Sequence, residues 1–126
     1  MKPDLPIVMR GFFGTMLTEI APRLNAEYST GSISIMSMML YLTAQEYERA
    51  AEVRVTDNAE MRALFADAVR LVQDKSLKAR LEEAAGTKDR SLVVSALDED
   101  HAALSALLIE LQAHVEESTA PWAAGL

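Results

Sequence analysis

The chain has 126 residues, half of them apolar and a quarter charged, values of an ordinary globular domain that exclude disordered and collagen-like polymers. Its formal net charge of −7 argues against nucleic acid as a partner, because phosphate binding draws on clustered Lys and Arg to displace counterions. With no cysteine, disulfides, thiolate zinc sites and cysteine nucleophiles are excluded.

The first twenty residues carry Lys2 and then Ile7, Val8, Met9, Phe12 and Phe13, but Arg10 splits the apolar run that a secretory signal requires. A helix is predicted instead, with Asp4 as N-cap and Pro6 in its first turn. Val8, Phe12, Met16, Ile20 and Leu24 form its apolar stripe. Gly11 and Gly14 weaken it by about 1 kcal/mol each relative to Ala, and Pro22 should kink or end it near Ile20. A loop over residues 28–31 is expected to follow.

Ser32 is the predicted cap of a second helix that reaches Arg54. In its first half Ile33, Ile35, Met36, Met38, Met39, Leu40, Tyr41 and Leu42 point all round the axis, and such a helix must be buried on every side. The apolar run 33–44 is about 18 Å long as a helix, too short for a bilayer core of about 30 Å, so no membrane span and a cytoplasmic protein are expected. A bundle of this size has little interior, which favours burial against a second copy. The expectation is a homodimer in which Ile35, Met36, Met38, Met39 and Leu42 form the interface. The same residues could instead line a pocket for an apolar small molecule, since methionine adapts to irregular shapes.

Asp57 and Glu60 have capping-box spacing at a third helix, whose stripe is Met61, Leu64, Phe65, Ala68, Leu71 and Val72. Leu77, Leu81, Ala84 and Ala85 then fall on a different face, which places a break near Ser76, and Gly86 closes that piece. A last helix is predicted over residues 89–117, with Val93, Leu97, Leu104, Leu108, Leu111 and Val115 as its stripe. Trp122, just beyond Pro121, is expected to dock on the bundle. These pieces, joined by short connections, predict an all-α fold: an antiparallel bundle of four to five helices forming a single domain over 1–126, with tails at 1–4 and 118–126.

Charge is unevenly distributed. Residues 98–126 contain six acidic side chains and no Lys or Arg, together with both histidines, His101 and His114. Asp98 and His101 are three apart and share a helix face, the spacing of carboxylate–histidine pairs in di-iron bundles, and Glu46 or Glu19 could add a carboxylate from another helix. A divalent metal or iron held by Glu46, Asp98 and His101 is therefore an alternative reading. Against it, no Glu-x-x-His occurs, and Arg49 stands three residues after Glu46. The plainer reading makes residues 98–100 an acidic helix start with a bend near Leu97. It also makes His101 a hydrogen bonder at the core edge and His114 a surface residue. Glu116 and Glu117 oppose the helix dipole, and the Lys75, Lys78, Arg80, Lys88 and Arg90 group is the candidate to answer them.

No Gly-x-Ser-x-Gly elbow, Ser-x-x-Lys motif or phosphate loop occurs. The expectation is a homodimeric helical binding or accessory protein without an evident catalytic centre or cofactor. The alternatives are the carboxylate/histidine metal bundle and a carrier of an apolar ligand.

Overall fold

The computed structural model describes residues 4–24, 26–118 and 121–125, and among these the chain is all-α, with no strand. Helix α1 (Leu5–Thr15) runs into a π-helical turn (Met16–Ile20) and a 3-10 turn (Ala21–Arg23). Helices α2 (Glu27–Ala68), α3 (Lys75–Ala85) and α4 (Val94–Glu117) follow, and a 3-10 segment (Pro121–Gly125) comes last. The chain groups into two compact units, Met1–Ala50 and Ala51–Leu126, with α2 contributing residues 27–50 to the first and 51–68 to the second.

The end of the first helical run follows from Pro22. Its ring nitrogen cannot donate, and the helix widens just ahead of it, the Ala21 N–H reaching back five residues to the Met16 carbonyl. Leu24 is then extended. Several expected boundaries lie elsewhere. Residues 28–31 are the first turns of α2 rather than a loop, and Ser32 is helical rather than a cap. The helix also continues through Asp57 and Glu60 without a restart. No glycine or proline occurs between Ser32 and Ala68, so nothing forces a break. The Val53, Val55 and Thr56 positions only weaken helix propensity.

The second unit contains the larger core. Asp74 caps α3 by accepting the Leu77 N–H at 2.7 Å, and Gly86 ends that helix. Met61, Phe65, Ala68 and Val72 from the α2 side meet Leu77 and Leu81 of α3 and Leu104 and Leu111 of α4. Leu97 is buried seven residues before Leu104. Trp122 packs against this core and stacks on His114, with ring centroids 6.4 Å apart, so His114 is half-buried rather than a surface residue.

Helix direction can be read from the side-chain pairs. Arg54 bonds Asp98, Asn58 faces His101 and Ser105 reaches Met61, a constant offset that makes residues 51–68 parallel to α4. Arg62 bonds Thr87, and Arg80 pairs with Glu110. Those pairings set α3 antiparallel to both neighbours, giving an up-down-up three-helix unit. Helix α4 begins at Val94 rather than at residue 89, and residues 98–100 lie in its second turn, with no break at Leu97. Asp89 is held away from the helix because its carboxylate is taken by Asn58 and Arg62.

Candidate functional site

The first unit is a helical hairpin. Phe13 of α1 packs on Tyr41 of α2 with ring centroids 5.1 Å apart, and Arg10 approaches Glu48 at 3.9 Å, so the two helices run antiparallel. Among its described residues, the fully buried side chains are small: Pro6, Ala21, Ser37 and Ala44. Among the described residues, eleven of the sixteen exposed large hydrophobics belong to it. By contrast, nine of the eleven buried hydrophobics among the described residues lie in the second unit. Burial of apolar area is the main favourable term in folding, and the hairpin leaves these large apolar side chains exposed.

The predicted interface residues lie here. Ile35 is 67% exposed, and Met36, Met38, Met39 and Leu42 are also exposed. Residues 33–42 are helical, as the sequence requires, but the chain does not cover this stretch on all sides. At 100° per residue, Tyr28, Ile35, Met38, Met39 and Leu42 share an arc roughly 100° wide, on the side of α2 away from Ser37 and Ala44. This patch can also lose water cheaply. No charged side chain occurs from residue 28 to residue 45. The hydroxyls of Thr30, Ser34, Ser37 and Thr43 each donate to the carbonyl four residues earlier, at 2.7–3.2 Å. Covering the patch would strand none of those donors.

The second unit has a polar cluster that sequence reasoning missed. Asn58 is fully buried in the stripe that continues through Met61 and Phe65. Its amide nitrogen donates to Asp89 Oδ1 at 3.0 Å and to the Leu97 carbonyl at 3.4 Å. Its oxygen therefore faces His101 Nδ1, 3.2 Å away. An amide oxygen only accepts, so His101 carries its proton on Nδ1, which leaves Nε2 with a lone pair when the ring is neutral. Arg62 closes the cluster, pairing with Asp89 at 2.9 Å and donating to Thr87. A polar residue in register with an apolar stripe was the available signal for Asn58.

Of the three residues of the metal alternative, Asp98 is engaged by Arg54 and His101 faces Asn58 in the second unit, while Glu46 belongs to the first. Among the described residues, no group of three or more His, Asp or Glu side chains could hold a metal ion. The basic group was expected to answer Glu116 and Glu117, but its arginines pair elsewhere: Arg80 with Glu110, and Arg90 with Glu99 and Asp100. Glu116 instead accepts from Gln112. Arg62, Arg80, Lys88 and Arg90 line a cavity of about 310 Å³ beside Glu83 and Asp100. Carboxylates already neutralise its three arginines.

The Arg90–Asp100 pair gives a pH prediction. The Arg90 backbone N–H, 3.2 Å from Asp100, is the largest influence holding that carboxyl below its ordinary value. Burial opposes it, while the Arg90 guanidinium and the Arg62 charge reinforce it. A depressed carboxyl pKa adds stability that is present above the unfolded value, near 3.8, and is lost as the pH falls through the lower folded value. Asp100→Asn is expected to lower Tm slightly at pH 7 and to flatten the acid limb of a Tm–pH curve. Parallel acid limbs in variant and native protein would refute the assignment.

Comparison with family models, with curated proteins and with solved structures finds no match to this chain, so the functional reading rests on the geometry.

Proposed function

We propose that the chain is a helical binding or accessory protein that works as a homodimer, with the hairpin as its assembly element. The observation that carries this reading is the composition of the hairpin's interior, which buries small residues while Ile35, Met36, Met38, Met39 and Leu42 stay exposed. With about 200 Å² for a large side chain, those five and Tyr28 offer on the order of 700 Å² per copy, close to the roughly 800 Å² per partner of a standard stable interface. A patch of several hundred Å² marks an interaction site rather than ordinary surface.

A second copy suits this patch better than a lipid surface does. Helices that lie on membranes present Lys and Arg to anionic headgroups, whereas residues 1–56 hold five basic and six acidic side chains. Among the described residues no helix is long and apolar enough to cross a bilayer. Sedimentation equilibrium at micromolar concentration is expected to give twice 13.8 kDa. A monomer would overturn the proposal, and a monomer that retains an acyl or lipid adduct in native mass spectrometry would replace it with the apolar-carrier reading.

A further inference from the structure

We propose that the two copies pack α2 against α2 in antiparallel orientation, with the two-fold axis passing beside Ile35. Met38 and Met39 of each copy then lie over Ser32 and Gly31 of the other. This geometry rests on the homodimer reading above and adds to it the seam, the orientation and the register.

The seam follows from spacing. Tyr28, Ile35 and Leu42 recur every seven residues, with Met38 and Met39 between them on the same exposed arc, the periodicity that lets two helices stay in contact along their length. In an antiparallel pair centred on Ile35, residues equidistant from it face each other. Tyr28 then meets Leu42, Ile35 meets its own copy, and the two methionines meet Ser32 and Gly31. The two long methionines thus oppose the small Ser32 and Gly31, as dense packing requires. A parallel pair in the same register would stack Met38 and Met39 on themselves and leave the Gly31 level empty.

Gly31 supplies an independent observation. It sits inside α2 at a cost in helix propensity, yet a Cβ built there meets nothing within 4 Å. Its own chain therefore gives no packing reason for the missing side chain. A notch that stays open in the subunit, on the same side of α2 as the exposed methionines, leaves room for a side chain arriving from outside.

Charge agrees with this orientation. Glu46 lies on the same side of α2, one turn beyond Leu42. Antiparallel packing sets it near the N-terminus of the other copy's α2, where a negative charge is favoured. Parallel packing would place Glu46 against Glu46.

The chain has no native cysteine, so single cysteines can be cross-linked with a short bis-maleimide at concentrations where the protein is dimeric. Ile35→Cys is expected to cross-link to near completion. Tyr28→Cys is expected to stay uncoupled, because antiparallel packing separates the two copies of that position by roughly 20 Å along the axis. Cross-linking of Tyr28→Cys as readily as Ile35→Cys would overturn the antiparallel geometry while leaving the dimer standing. Failure at both positions in a protein that still sediments as a dimer would move the interface to another face. A monomeric native protein would remove the dimer reading itself.

Gly31→Leu fills the notch from a position whose Cβ meets nothing of the subunit within 4 Å. It is expected to weaken dimerisation on the order of tenfold or more, consistent with overpacking of a tight contact, while helicity is kept or raised. Unchanged dimer affinity in that variant would also overturn the register.

Discussion

The Ile35→Glu, Leu42→Glu double variant is expected to sediment at 13.8 kDa under conditions where the native chain is dimeric, with its three-helix unit still folded. Both side chains are exposed in the subunit, so the substitutions leave its internal packing intact, and Glu is a good helix former. In the dimer each change forfeits about 1.5–3 kcal/mol of apolar burial and forces a carboxylate out of water at a further cost of several kcal/mol. At 1.4 kcal/mol per tenfold, dimer affinity should fall at least about a thousandfold. Trp122, which reports on the other unit through its stack on His114, should keep its fluorescence. A variant that stays dimeric would show that this patch is not the interface. One that loses the Trp122 signal would show that these residues support the subunit's own fold.

The three-helix core was legible because its spacing is regular. Met61, Phe65, Ala68 and Val72 occupy one stripe, and Leu97, Leu104 and Leu111 repeat every seven residues, so one face of each helix is marked. The helix over residues 33–42 was equally visible, but the burial expected on every side is not: Ile35, Met36, Met38, Met39 and Leu42 are exposed in the subunit. Helix ends were harder to read. Asp57 and Glu60 resemble a cap locally, and only the absence of Gly or Pro between Ser32 and Ala68 shows that nothing forces a stop there. Asp89 was opaque for a different reason. Its partners Asn58 and Arg62 are about thirty residues away in sequence, so it read as a helix-starting acid until the fold brought them together. The acidic run 98–100 misled in the same way, since its partners Arg54 and Arg90 come from α2 and from the loop before α4.

Asn58→Leu is expected to destabilise the three-helix unit by about 2–4 kcal/mol, although leucine has nearly the same size and is at home in a core. The loss comes from the groups left behind, since a buried donor or acceptor without a partner costs about 1–3 kcal/mol. The His101 Nδ1–H would lose its acceptor and the Leu97 carbonyl a donor, while Asp89 Oδ1 would lose one donor and keep Arg62. For a unit of this size that shift lowers Tm by roughly 10–25 °C. His101→Ala alone should cost less, because His101 is only half-buried and water can reach part of its place. In the double variant Asn58→Leu, His101→Ala the losses should fall short of additive by about 0.5–3 kcal/mol, the coupling expected of directly bonded groups. Nitrogen-15 NMR of the native protein should find neutral His101 protonated at Nδ1, and that signature should vanish in Asn58→Leu. Additive losses, or a neutral ring protonated at Nε2 in the native chain, would mean that Asn58 does not hold His101 and that the cluster has been read in the wrong hydrogen-bonding sense.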